Sequence, residues 1–127
     1  MKIPDALYRQ ILRVMPVPCV DLLVCNGAGE ILLVRRAQEP ARGEWWFPGG
    51  RVHHGEARHE AAVRKLHEEC GLHARSVEEL CTEDVILKSG PGPAKHGVTT
   101  VFRVGAGAGE VRLDAQSSEA DWRSGAA

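Results

Sequence analysis

Three carboxylates and an arginine recur at a spacing that could hold a metal ion against an anionic substrate. Gly50 is followed after five residues by Glu56, seven further residues lead to Arg64, and Glu68 and Glu69 follow shortly after. A helix turns by about 100° per residue. Position 65 and the Glu68–Glu69 pair therefore crowd into one narrow sector. Mg²⁺ takes hard oxygen ligands at about 2.1 Å, commonly one or two carboxylates completed by water and substrate phosphates. Lys65 interrupts the acidic sector. An ammonium cannot serve as a general base, so its default role is an ion pair with Glu69 or a phosphate contact. The proton acceptor must then lie elsewhere. His96 and His67 qualify by type, because imidazole titrates near neutrality. The bland alternative is a solvated helix face carrying the i,i+4 pairs Glu60–Arg64, Arg64–Glu68 and Lys65–Glu69. The preceding Phe47-Pro48-Gly49-Gly50 turn argues against that reading.

Positioning these groups requires a helix on a sheet. Residues 56–70 lack Gly and Pro and are rich in good helix formers, and Gly71 is suited to end the helix. Ala62, Val63, Leu66 and Cys70 share one face that can pack on strands, with the charged residues largely opposite. Residues 5–15 form a short helix begun near Pro4, with Leu7, Ile11, Leu12 and Met15 on its apolar side. Residues 19–25 and 31–35 are strands of a hairpin turned by Asn26-Gly27-Ala28-Gly29. Residues 45–47 make a short strand. Alternation then opposes Trp46 to Trp45 and Phe47, and Arg35 to Arg36, so at most one of the two arginines meets an anion. Residues 77–88 and 97–104 read as strands separated by a flexible loop over 88–97. A glycine-rich turn at 105–109 leads to a last strand around Val111.

Composition bounds the function. The chain has 127 residues and a net charge of −1, enough for one catalytic domain over residues 1–127. There is no basic field for nucleic acid and no apolar run approaching the about 18 residues of a membrane span. Nothing resembles a signal peptide, which with reduced cysteines implies a cytoplasmic protein. The four cysteines contain no C-x-x-C pair, so buried free thiols are expected.

Residues 50–72, GRVHHGEARHEAAVRKLHEECGL, closely resemble the Nudix box, G-x5-E-x7-R-E-U-x-E-E-x-G-U with U aliphatic. Lys65 is the one departure, standing where the pattern has glutamate. The resemblance implies a Nudix α/β/α sandwich, an α/β fold with a mixed sheet, here without its C-terminal helix because five residues after Trp122 are too few to form one. That shortfall implies either a truncated or frameshifted product or cover from another subunit, the latter a homodimer. It also implies a Mg²⁺- or Mn²⁺-dependent hydrolase whose partner is a small-molecule nucleoside diphosphate derivative.

The flanks, Cys19-Val20-Asp21-Leu22-Leu23-Val24, Arg36, Pro40-Ala41-Arg42-Gly43 and Trp46-Phe47-Pro48-Gly49-Gly50-Arg51-Val52, resemble the GDP-mannose mannosyl hydrolase branch. That branch also dispenses with the glutamate after the box arginine. Carried over, the likeness implies metal ligation by the Gly49 carbonyl, Glu69 and Gln116, supported by Glu68 and Glu56. Asp21 and Arg36 would lie near substrate, and Arg51 would bind diphosphate; Arg64, whose charge sits among Glu60 and Glu68, is read from the residues themselves as orienting the glutamates. Two features differ from the branch: Ser117 replaces its histidine, and both Glu68 and Glu69 are kept. Hydrolysis of a nucleoside triphosphate or an ADP-ribose type pyrophosphate, or nucleotide binding without catalysis, are the alternative readings.

Overall fold

A computed structural model describes residues 2–39, 41–88, 90–107 and 110–124. Pro40, Ser89 in the expected 88–97 loop, two residues of the 105–109 turn, and the tail from 125 lie outside the described residues. The elements run α1 (Asp5–Val14), β1 (Val17–Cys25), β2 (Glu30–Arg36), β3 (Trp45–Trp46), β4 (Gly49–Arg51), α2 (Arg58–Cys70), β5 (Ala74–Leu87), β6 (Lys95–Ala106) and β7 (Ser117–Ser124). Seven strands form one mixed sheet in the order β3-β2-β1-β6-β5, with β4 paired to β1 and β7 to β2. The described helices are the two named.

The centre of the sheet is the parallel pair β1–β6, in register from Val17↔Gly97 to Cys25↔Gly105. The expected hairpin forms, and Asn26 Oδ1 closes it by accepting the Ala28 and Glu30 N–H groups at 3.0 Å each. β1 and β2 then part company, with Cys25↔Ile31 their paired position. Beyond it β1 takes β4 as its neighbour (Cys19↔Arg51 to Asp21↔Gly49), while β2 takes β7 (Glu30↔Ser124 to Arg36↔Ser117). The two central strands thus fork, and the segment bearing Gly49 and Gly50 sits inside the fork. Residues 49–51 are therefore ladder strand where the sequence reads as a turn.

Helix α2 covers the sheet through Ala61, Ala62, Leu66 and Cys70, which pack on Val20, Leu22, Val24, Leu32, Phe102 and Val104. Burial of these side chains is the main favourable term holding helix to sheet. The stripe is offset from the expected one. Val63 is 42% exposed, whereas Lys65 and Glu69 are 5% and 4% exposed. The helix turns its charged side inward: Glu69 lines the pocket described below, and the Lys65 stem lies against Gly50. Gly71 ends the helix at φ 69°, a left-handed conformation that suits glycine, and its N–H returns to the His67 carbonyl at 2.9 Å. Glu56 lies before the helix, not in it.

Two further expectations change. No strand forms around Val111; Val111 and Leu113 instead pack against the core from irregular backbone. The last strand is β7, whose SSEADWRS sequence is polar because its pattern of burial is mostly exposed. α1 buries no side chain: Ile11 and Leu12 are half-buried, and Leu7 and Met15 exposed. No helix among the described residues is long and apolar enough to cross a membrane. The cysteines are free, with Cys70 buried as expected and Cys81 exposed on β5.

Candidate active site

The box arginine is a clamp. Arg64 Nε donates to Glu56 Oε2 at 2.7 Å, Nη2 to Glu56 Oε1 at 3.0 Å and to the Arg51 carbonyl at 3.0 Å, and Nη1 to Glu68 Oε2 at 3.0 Å. One planar guanidinium thereby joins the pre-helix turn, β4 and α2. The hydrogen bonds from Arg64 hold the Glu56 carboxyl down at about 2, with the His53 N–H contributing. Of the pairs in the bland alternative, Glu60–Arg64 is not made among the described residues: Glu60 accepts the Ala57 N–H at 3.0 Å and caps the start of α2.

Glu69 has a different environment. Its Oε2 accepts the Gly49 N–H at 2.7 Å, and Lys65 Nζ stands 3.9 Å from Oε1 and 3.8 Å from Glu68 Oε2. Burial pushes the Glu69 carboxyl up to about 7, opposed by Lys65 and the Gly49 N–H. Gly49 must be glycine: a Cβ there would overlap the Val20 carbonyl oxygen and the Asp21 carboxylate.

These groups meet at a pocket in the fork. Asp21, Arg36, Gly49, Glu69 and Gln116 all line it. Gln116 arrives there because β7 pairs with β2 through a register shift at Arg35/Arg36. Its carbonyl accepts the Ala37 N–H at 3.0 Å, and its own N–H donates to Asp114 Oδ1 at 3.0 Å. Asp21 is a second carboxylate, partly buried. Burial, then the charge of Glu83, push it up to about 6, against a hydrogen bond from Trp46 and the charge of Arg36. Trp46 and Phe47 both line the pocket, since β3 ends at Trp46 and alternation does not reach Phe47. Trp45 is outside, under the Arg123 guanidinium at 4.7 Å. The paired arginines split as expected: Arg36 lines the pocket, while Arg35 donates to the Gly43 carbonyl at 2.9 Å.

Other expected site residues stay apart from the pocket lining. Glu56, Arg64 and Glu68 form the clamp behind it. The Arg51 guanidinium lies 6.0 Å over the Tyr8 ring. His96 faces away and meets Asp84 at 3.1 Å, because its neighbours Lys95 and Gly97 take the pocket side of β6. His67 is exposed beside His73, with ring centroids 5.0 Å apart. Lys95 is the pocket residue that sequence reasoning missed, since it reads as part of a Pro- and Gly-rich loop. Its one available signal is its place three residues before Val98, the first apolar position of β6.

Among the described residues no three His, Cys, Asp or Glu side chains converge as a metal cage. The pocket instead offers two carboxylates (the buried Glu69 and the partly buried Asp21), one amide (Gln116) and the backbone of Gly49. That sparse oxygen set suits a Mg²⁺ that keeps water and substrate oxygens as its remaining ligands.

A Nudix domain profile matches residues 15–124. The chain is 32% identical over 121 residues to the low-salt glycan biosynthesis protein Agl8 of Haloferax volcanii, covering 93% of this chain and 77% of that protein. Among solved structures, a MutT Nudix hydrolase from Burkholderia pseudomallei superposes with a TM-score of 0.75 at 28% identity, covering 87% of this chain and 84% of the other. The Nudix domain of Shewanella oneidensis NrtR, solved with ADP ribose, shares the fold at a TM-score of 0.71 and 21% identity, covering 96% of this chain and 84% of the other. With a profile spanning most of its length, a box complete but for Lys65, and the matching sheet and helix beneath it, this chain belongs to the Nudix hydrolase family.

Proposed function

We propose that the protein is a Mg²⁺-dependent (or Mn²⁺-dependent) hydrolase of a nucleoside diphosphate linked to another moiety, with a nucleotide sugar such as GDP-mannose as substrate. The observation that carries this reading is the convergence of Asp21, Arg36, Gly49, Glu69 and Gln116 on one pocket. These are five of the positions for which the likeness to the mannosyl hydrolase branch implies contact with metal or sugar nucleotide. The resemblance to a glycan biosynthesis protein agrees with a sugar-linked substrate.

Glu69, Gln116 and the Gly49 carbonyl would hold the metal, which when bound would supply positive charge to stabilise a departing or attacked diphosphate. Arg64 acts through others: it fixes Glu56, Glu68 and the Arg51 carbonyl, so that α2 presents Glu69 at a constant angle. Lys65 balances the Glu68–Glu69 pair in place of a third carboxylate. Arg36 holds substrate phosphate oxygens by charge-assisted hydrogen bonds. None of the six histidines lines the pocket. Asp21 therefore takes the water's proton as the water oxygen bonds to the anomeric carbon and the carbon–oxygen bond to the nucleoside diphosphate breaks. Trp46 and Phe47 offer ring faces for a base or sugar.

The test is turnover of GDP-, UDP- and ADP-sugars, dinucleotides and nucleoside triphosphates with Mg²⁺, read by phosphorus NMR in ¹⁸O-labelled water. Label in released sugar supports attack at carbon. Label in a phosphate product assigns the pocket to pyrophosphate cleavage and overturns the sugar displacement. Absence of turnover across the panel leaves nucleotide binding without catalysis as the reading.

A further inference from the structure

Lys95 presents an unmet electrostatic need. It begins β6 opposite Leu87 of β5, and its side chain lines the pocket with Leu87, Gly97 and Thr99. The residue is partly buried. Among the described residues, no carboxylate forms an ion pair with it. Burial lowers its pKa, and the cations Arg36, Arg51 and Lys65 add to that shift against an opposing influence of Cys19. A half-desolvated ammonium surrounded by like charge is costly unless an anion joins it. Lysines without such a demand ordinarily keep the ammonium in water along an extended stem.

We propose that Lys95 is a substrate-binding residue that holds a phosphoryl group of the ligand, on the wall of the pocket opposite Arg36. Arg36 stands on β2 and Lys95 on β6, with β1 and the Gly49 segment between them. An anion spanning the pocket floor meets a cation from each side. A diphosphate supplies charge at two centres, whereas a neutral sugar or base supplies none. Leu87 and Val85, beside Lys95 on the same wall, present apolar surface to the ligand portion that follows. The inference rests on the reading of the pocket as a nucleoside diphosphate site.

The experiment is calorimetric titration of inorganic pyrophosphate into the full chain with Mg²⁺ present, comparing wild type, Lys95→Met and Lys95→Arg. Loss of one charge-assisted contact should weaken binding roughly tenfold or more in Lys95→Met, with most of the affinity restored in Lys95→Arg. A second readout needs no variant: reductive methylation of wild type followed by mass spectrometry. Pyrophosphate should protect Lys95 and leave the exposed Lys88 unprotected. Equal pyrophosphate affinity in wild type and Lys95→Met, no binding by wild type, or equal labelling of Lys95 with and without pyrophosphate overturns the assignment. Failure to turn over any nucleotide sugar while Lys95-dependent pyrophosphate binding persists defeats the proposed substrate and leaves the role of Lys95 standing.

Discussion

Glu69 Oε2 accepts the backbone N–H of Gly49 at 2.7 Å, joining the last turn of α2 to a strand twenty residues earlier. This bond aligns the side chain and the backbone that the proposed metal would need together. It is made by a carboxylate that is almost wholly buried, so its geometry is set by packing as much as by charge.

Glu69→Gln should remove most activity and leave the fold intact. A glutamine oxygen can still accept the Gly49 N–H, but the charge facing the metal is gone. Turnover should fall roughly 100-fold or more, the scale expected when several kcal/mol of charge stabilisation is lost. EDTA should do the same to wild type. Steady-state rates alongside circular dichroism check this; near-wild-type turnover of the variant at limiting Mg²⁺ would show that Glu69 is not a metal ligand.

Glu56→Gln should destabilise the protein at neutral pH by about 2 kcal/mol, because Arg64 loses its charged acceptor. The folded-state pKa of Glu56 is depressed from 4.5 to about 2. Its contribution is therefore present above the unfolded value and disappears as pH falls through the folded one. Urea denaturation of wild type and variant at several pH values should show the gap closing between those limits. A gap that widens with acid contradicts the clamp.

Lys65→Glu should lower the melting temperature in EDTA and enlarge the rise produced by Mg²⁺. The substitution sets a third carboxylate against Glu68 and Glu69 in a buried sector, and a divalent ion relieves that repulsion. The shorter side chain also uncovers Gly50, whose Cα now lies under the lysine stem so closely that a Cβ would fall 2.6 Å from Cε. Thermal melts with and without Mg²⁺ decide it. An unchanged melting temperature in EDTA would mean that Lys65 does not neutralise the pair.

Cysteine reactivity should follow burial. Cys81 is exposed on β5, while burial, with Glu69 and Asp114 adding to it, pushes the Cys70 thiol up to about 12. Alkylation of native protein at mild pH, mapped by mass spectrometry, should label Cys81 first and Cys70 after unfolding. Rapid native labelling of Cys70 would show that α2 does not stay seated on the sheet.

Local sequence was enough for the elements whose signals are local. The Asn26–Gly29 turn, the helix ending at Gly71, the strand through Thr99–Val104 and the box spacing all rest on residues close in the chain, where turn chemistry and apolar period act directly. The box pointed to the metal chemistry proposed above, and Arg64 as an organiser of glutamates follows from charge order alone. What tertiary structure decided was which way those groups face. Val63 points to water and Lys65 inward because the fork between β1 and β2 rotates the buried stripe of α2. The polar β7 is a strand because β2 offers it a partner. His96 leaves the pocket and Lys95 enters it because two neighbours on a strand face opposite sides, and the register of β6 against β1 selects between them. Pairing of distant strands has no signature in the residues of either strand taken singly, so the sequence could name the site's chemistry while the sheet chose its members.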